Sequence, residues 1–216
     1  MKLTPKLLLT TFVLTISLAF VSHAQTMQLN WVRTMGAAAG SEHGKAIVID
    51  SNKNVIVTGN FESAMDFVAG PGQSILSPAG QQDVYITKYD TAGNFKWVKR
   101  LAGTEPDAAH DMKMDSHGNI YVLGFFQGTI DFDPGPAEYY EITNSVTGFL
   151  LKLDNNGNFI WVKRLVYGAT LLEIDAADNI LIAGNFSGTQ DFDPGPGTHN
   201  ATANNLYADL FVEKLN

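Results

Sequence analysis

The sequence predicts an all-β protein made of three repeated, four-stranded antiparallel units. Three observations carry that prediction. A tryptophan-centred strand recurs as NWVRTMG (30–36), KWVKRLAG (96–103) and IWVKRLVYG (160–168). A glycine-centred strand recurs as VIVTGNF (55–61), IYVLGFF (120–126) and ILIAGNF (180–186), and copies two and three run on into DFDPGP at 131–136 and 191–196. A third strand recurs as DVYITKY (83–89), GFLLKL (148–153) and DLFVEKL (209–215).

The repeat period follows from the tryptophans: Trp31, Trp97 and Trp161 are 66 and 64 residues apart. A fixed period of this kind is the sequence signature of a repeat architecture. In the second copy the strands in order are DMKMD, NIYVLGFF, GFLLKLD and FIWVKRL. Between strands one and two lie DSNKN (50–54), DSHGN (115–119) and DAADN (175–179). Between strands three and four lie DTAGN (90–94) and DNNGN (154–158). Asp, Asn and Gly there supply side-chain-capped turns and positive φ angles. Several strands, such as AIVI (46–49), are continuous apolar runs, which suits sheets covered on both faces. Gly59, Gly124 and Gly184 recur at one position and predict close backbone approach. The third copy lacks the segment matching EPDAAHD (105–111), and no stretch after residue 24 has helical periodicity.

Four-stranded antiparallel units repeated along a chain predict β-propeller-type blades. The approximate units are 31–96, 97–160 and 161–216, within a repeat domain spanning 25–216. The pattern resembles the SBBP repeats, the β-propeller repeats of secreted bacterial proteins. The residues that carry the resemblance are W-V-K-R-L-x-G, D-S-x-G-N-I-Y-V-x-G, F-x-G-T-x-D-F-D-P-G-P and F-L-L-K-L-D-x-x-G-N. The D-F-D-P-G variant is similar to copies in large Bacteroidetes surface proteins. The resemblance covers nearly all of 29–216 and implies a scaffold fold, which serves many activities. Chains of that family usually carry more repeats and often a secretion-sorting domain.

Three blades fall below the usual minimum of about four. Copies one and two end in a W-V-K-R strand after the third strand, whereas in copy three the matching strand is NWVRT (30–34), at the other end of the chain. The sequence therefore expects that N-terminal strand to belong to a blade whose other strands are C-terminal. Three readings remain open: an open arc or fragment of a longer family member, half of a six-bladed homodimer, or a three-fold β-prism. The open arc is the preferred one, because family members tend to be longer.

Residues 1–24 read as a signal peptide. Lys2 and Lys6 open it, Leu7 to Val21 is uncharged and apolar, and Ser22-His23-Ala24 supplies a cleavage site. The expected location is therefore secreted or cell-surface, with no membrane span after signal removal. Loss of the two lysines takes the formal net charge from −8 to −10. An acidic chain without a basic cluster argues against nucleic-acid partners and against anionic membranes. The absence of cysteine rules out disulfide staples and lipid modification at a cysteine.

Asp131 with Asp133, and Asp191 with Asp193, have the D-x-D spacing of oxygen-rich Ca²⁺ loops. The first copy, DFVAGPG (66–72), keeps Asp66 and Phe67 but has Val68 in place of the second carboxylate. A turn tolerates that change better than a metal site does. The expectation is that the aspartates cap a Pro-Gly corner while Phe132 points into the core. His43, His110, His117 and His199 share neither a repeat position nor a metal-ligand spacing. The three tryptophans are expected to pack between blades, with sugar stacking as the alternative. No nucleophile elbow, phosphate loop or Ser-His-Asp set is present. The copy-specific stretches EPDAAHD, YYEITNS (139–145) and THNATANN (198–205) read as loops.

The sequence thus expects no catalytic residue, no metal ligand and no cofactor, and it leaves the ligand-binding residues unassigned. It expects a secreted, non-enzymatic binding or structural module at the cell envelope, with a protein or glycan partner. The alternatives are a lectin-like carbohydrate-binding propeller and, less favoured, a polysaccharide hydrolase or lyase domain.

Overall fold

Five hairpins turn through a five-residue loop of one design. In Asp50–Asn54, Oδ1 of Asp50 accepts the amides of Asn52 and Asn54, and Oδ2 accepts the Asn54 amide side chain, all within 2.8–2.9 Å. The same bonds recur in Asp90–Asn94, Asp115–Asn119, Asp154–Asn158 and Asp175–Asn179. The fourth residue takes a left-handed φ in every copy: Lys53 at 65°, Gly93 at 76°, Gly118 at 84°, Gly157 at 77° and Asp178 at 61°. Glycine suits that conformation best, since it has no Cβ to clash.

The structure, a computed structural model, describes residues 27–216 apart from 38, 69, 205 and 206. The expected signal peptide at 1–24 lies outside the described residues. Residues 31–216 form one compact unit, and residues 27–30 carry no regular secondary structure. The described chain is all-β and antiparallel, with no helix among the described residues.

The first repeat unit is the meander β1 (Glu42–Ile49), β2 (Val55–Phe61), β5 (Asp83–Tyr89) and β6 (Phe95–Gly103), with a short ribbon β3 (Met65–Asp66) and β4 (Ile75–Leu76). The second is β7 (Ala108–Met114), β8 (Ile120–Asp131), β9 (Tyr140–Leu153) and β10 (Phe159–Leu165). Two pairs, Ala102–Asp131 and Gly103–Ile130, join these meanders into an eight-stranded sheet. The third unit has three strands, β11 (Ala169–Ile174), β12 (Ile180–Phe186) and β15 (Asp209–Leu215), plus the ribbon β13 (Thr189–Asp191) and β14 (Asn200–Thr202).

Two expectations need correction. The segment 30–34 is not a strand of the third unit: residues 31–35 run as irregular chain, and the outer edge of β15 is unpaired among the described residues. The stretches EPDAAHD, YYEITNS and THNATANN are not wholly loops; in the last, residues 200–202 form β14, paired with β13. Residues 108–111 belong to β7, and 140–145 belong to β9, where the ladder Asp131–Tyr140 to Gly128–Thr143 carries the β8–β9 hairpin outward.

The repeated glycines do make close approaches. A Cβ on Gly59, Gly124 or Gly184 would lie 1.8, 2.2 or 2.0 Å from the carbonyl oxygen of His43, Ala108 or Gly168. Each faces an irregularity in the first strand of its unit, where the register slips.

Apolar faces then stack the units. Ile56, Val84, Ile86 and Leu101 of unit one pack on Val122, Phe126, Phe132 and Phe149 of unit two. Tyr121, Leu123 and Leu150 of unit two pack on Leu172, Ile182, Phe186 and Phe211 of unit three. Burying each such side chain contributes about 1.5–3 kcal/mol.

Candidate functional site

The DFDPG corners are built from within. Asp131 Oδ1 accepts the amides of Asp133 (3.0 Å) and Tyr139 (2.9 Å), and Asp133 Oδ1 accepts the amide of Gly135 (2.8 Å). Asp191 and Asp193 repeat this with Asp193 (3.1 Å), His199 (2.7 Å) and Gly195 (2.7 Å). Asp66 keeps the first half, accepting from Val68 (3.0 Å) and Ser74 (2.9 Å). These amide bonds hold Asp66 and Asp191 below the usual carboxyl range.

The intervening phenylalanine fills the core, as the alternation of strand side chains requires. Phe132 lies 5.3 Å from Phe126 and 5.0 Å from Phe149, ring centre to ring centre. Phe67 has the same place between Phe61 and Tyr85, and Phe192 between Phe186 and Phe211. The corner is thus a plug anchored by an aromatic triad.

Each of the second and third corners forms one wall of a groove whose other wall is the fourth strand of the preceding unit. One groove, of about 430 Å³, is lined by Asp131 and Asp133 of the corner and by Val98, Lys99, Arg100 and Ala102. The other, of about 480 Å³, lies between Gln190–Asp193 and Arg164–Tyr167. Arg100 bonds the Ser77 carbonyl, and Arg164 bonds Glu141 through Nε at 2.7 Å. Both grooves are polar and open, and they repeat with the units.

A third groove, of about 650 Å³, runs along the free edge of β15, between Leu210–Leu215 and the corner residues Phe192–Pro194. It is acidic. Glu213 Oε1 has no hydrogen-bond partner, and burial together with Asp193 pushes its pKa up to about 7.

Beneath the sheets each unit carries a lysine on the first turn. Lys88 is 2.9 Å from Asp50, Lys152 is 3.2 Å from Asp115, and Lys214 is 2.9 Å from Asp175. Burial works against ionised Asp50, but bonds from Asn54 and Lys88 outweigh it and hold the pKa at about 2. Asp175 is lowered too, first by Lys214 and then by Asn179.

A different pair is destabilised. Asp107 is fully buried at the junction of units one and two, and its Oδ2 has no partner among the described residues. Burial, with Asp83 and Glu105 adding charge, pushes its pKa up to about 8. Asp83 is raised for the same first reason, against bonds that include the Ala79 amide. Neither carboxyl lines one of the grooves described above, so the pair has no access to a substrate there.

The histidines stay apart. His110 stacks on Phe125 at 5.5 Å, and burial lowers its pKa. His117 is exposed in its turn, 3.2 Å from Asp178. His199 serves the corner through its backbone amide, and His43 offers a carbonyl to Tyr85. Among the described residues no three His, Asp or Glu side chains gather as a metal site would require. The tryptophans are half-buried: Trp97 packs on the core between units one and two, Trp161 on that between two and three, and the Trp31 indole donates to the Thr91 carbonyl at 3.0 Å. No helix among the described residues is long and apolar enough to cross a membrane.

Sequence reasoning missed the lysine–aspartate pairs and the buried acids. The former had a signal, since lysine recurs in ITKYD, LLKLD and VEKLN, always opposite a turn that begins with aspartate. Asp107 had none.

No family model matches the chain. Over 155 residues, 65% of this chain, it is 29% identical to a WD repeat-containing protein of Acanthamoeba polyphaga mimivirus. Over 120 residues, 54% of this chain, it is 23% identical to the regulatory protein FlaEY of Caulobacter vibrioides. These matches span 11% and 12% of the two relatives, so the chain covers about a tenth of their lengths. An all-β antiparallel chain with a WD-repeat relative fits repeats of the propeller type.

Proposed function

We propose that the chain is a secreted, non-enzymatic β-propeller-repeat protein of the SBBP type, acting as a binding or structural module at the cell envelope. Each unit is then a blade, and the inter-blade grooves are the binding surface. The observation that supports this most is the repetition of one groove, walled by the two aspartates of a corner and by matching residues of the preceding unit, Arg100 and Ala102 in one and Arg164 and Val166 in the other. Rigid elements that present repeated, open polar grooves suit recognition by shape and hydrogen bonding. Catalysis is disfavoured because Asp131 and Asp191 each spend an oxygen on two backbone amides.

Immobilised protein beginning at Gln25 would be screened against a glycan array and against envelope proteins. Binding should weaken on Lys99→Glu, in the first groove, and survive Lys96→Glu, which is exposed outside it. Equal effects from both substitutions, or turnover of a bound glycan, would count against this reading.

One observation favours a carbohydrate ligand as the second reading. Tyr167 lines the second groove with an exposed ring held edge-on by Phe125 at 6.0 Å. An amphipathic ring in that position can stack on a sugar. Loss of glycan binding on Tyr167→Ala, with protein ligands unaffected, would select it.

A further inference from the structure

The two ends of the repeat array are complementary. Residues 31–36 already hold, against unit one, the place that the fourth strand of one unit holds against the next. Trp31 and Arg33 lie against Gly93 in the 90–94 turn, as Trp97 and Lys99 lie against Gly157 in the 154–158 turn. Gly36 bridges Asp66, as Ala102 pairs with Asp131. Met35 packs on the Phe61–Phe67 cluster, as Leu101 packs with Phe126 and Phe132. Yet 31–35 have no sheet partner among the described residues.

Beside β15 the described residues place no such segment. In β5 and β9 the lysine sits opposite a tryptophan, in the pairs Lys88–Trp97 and Lys152–Trp161. Those lysine side chains are 6% and 18% exposed, whereas Lys214, with no strand beside it, is 56% exposed. Val212 is 71% exposed, while its counterparts Ile86 and Leu150 are fully buried beneath the following unit.

The geometry points to a second copy of this chain as the occupant of the β15 edge: residues 31–35 of one copy pair antiparallel with β15 of the other. Continuing the register of the earlier units sets Trp31 opposite Lys214, Val32 opposite Glu213 and Thr34 opposite Phe211. The segment need not move, because it already stands where the incoming sheet requires it. An unrelated strand would satisfy the backbone of β15. It would not bring the indole for Lys214 together with the aromatic face that covers Val212. Charge agrees as well, since the groove holds Asp193 and Glu213, and 30–36 carries Arg33 and no acid. Two such contacts related by a two-fold axis join the six units of two copies and pair the edges on which this strand pairing rests. The association goes beyond the proposed binding role, because the inter-blade grooves exist within a single copy.

The test is the solution mass of the chain beginning at Gln25, by light scattering after size exclusion at micromolar concentration. The expected result is twice the mass of one chain, falling to a single chain in Leu210→Asp/Val212→Asp. Both residues are exposed in one copy, so this variant keeps its fold. A monomeric parent, or a dimer that survives the double substitution, overturns the proposal. The chain has no cysteine, so register is read by oxidising Val32→Cys/Glu213→Cys. A covalent dimer is expected. Its intrachain reference is Thr87→Cys/Val98→Cys, the matching pair in unit one. Cross-linking of the reference without cross-linking at 32 and 213 overturns the strand pairing.

Discussion

Lys214 Nζ lies 2.9 Å from the Asp175 carboxylate, repeating at the array's open end the contact that Lys88 makes with Asp50 and Lys152 with Asp115. Only the surroundings differ. Lys88 is enclosed, and its ammonium also reaches the Asn155 carbonyl at 2.9 Å and lies 6.0 Å from the Trp97 ring centre. Lys214 is 56% exposed, with no tryptophan beside it among the described residues.

Lys88→Met should therefore be far more damaging than Lys214→Met in single-copy protein. Removing Lys88 leaves Asp50 buried without its cation, and breaking a buried pair costs about 3–5 kcal/mol. The Lys214 pair is screened by solvent, so its loss should shift the urea midpoint several-fold less. Equal midpoints for the two variants would show that β15 is covered. At concentrations where the proposed dimer forms, the Lys214 variant should become the more costly of the two in mass measurements.

The pH profile should be lopsided, with maximal stability on the acid side of neutrality. Asp50 has a folded pKa near 2, below its unfolded value, so its contribution is present above about pH 4 and is lost as pH falls toward 2. Asp107 has the opposite sign. Its folded pKa is about 8, so between roughly pH 4 and 8 the folded chain holds a proton that the unfolded chain has released. Stability falls across that window with a slope of up to about 1.4 kcal/mol per pH unit for one proton. Asp107→Asn keeps the shape without the titration and should make this limb shallower, leaving the contribution of Glu213, whose pKa of about 7 has the same sign, and the acid limb intact. A variant whose melting temperature still falls from pH 5 to 8 as the parent's does would remove Asp107 as the cause.

The strands and corners were legible because each local signal was written more than once. Asp115-Ser-His-Gly-Asn119 and its relatives announce a turn by chemistry confined to five residues. Asp131-Phe132-Asp133 announces a corner by alternation and by a Pro-Gly that ends the strand. What was not legible depends on distance in the chain. Lys88 and Asp50 meet only after β2 and β5 pair. Asp107 sits in a stretch that resembles a polar loop, and only the packing of units one and two buries it. The 139–145 stretch reads as a loop because its polar residues hide a ladder set by β8. Segment 31–35 has a strand's sequence but no sheet within reach in one copy, so pattern alone could not place it.

Calcium should leave the corners unchanged. Asp131 accepts two amides at one oxygen, and Asp133 accepts a third. Asp131→Asn retains an oxygen for those amides and should melt close to the parent. Asp131→Ala strands both amides and should cost about 1–3 kcal/mol. Neither melting point should differ between chelator and millimolar Ca²⁺. A rise of several degrees with Ca²⁺ in the parent, abolished by Asp131→Asn, would instead make the corner a metal loop.

Lys53→Gly should stabilise the protein. Lys53 holds φ at 65° in the Asp50–Asn54 turn, where three sister turns have glycine. A left-handed residue with a Cβ costs about 1–2 kcal/mol, and glycine removes that strain. Part of the gain is offset because glycine loses more freedom on folding. The net expectation is about 0.5–1 kcal/mol of added stability in denaturant unfolding, with an unchanged slope. The Lys53 side chain is exposed and makes no ion pair among the described residues, so little else is lost. Asp178, at the same position in the third unit, is the control. It accepts the Ser116 hydroxyl at 2.6 Å and the Ser116 amide at 2.8 Å. Asp178→Gly relieves the same strain but severs this tie between the second and third units, so it should stabilise less or destabilise. If both substitutions stabilise equally, the Ser116 bonds carry no net weight; if neither does, the turn accommodates a left-handed side chain without strain.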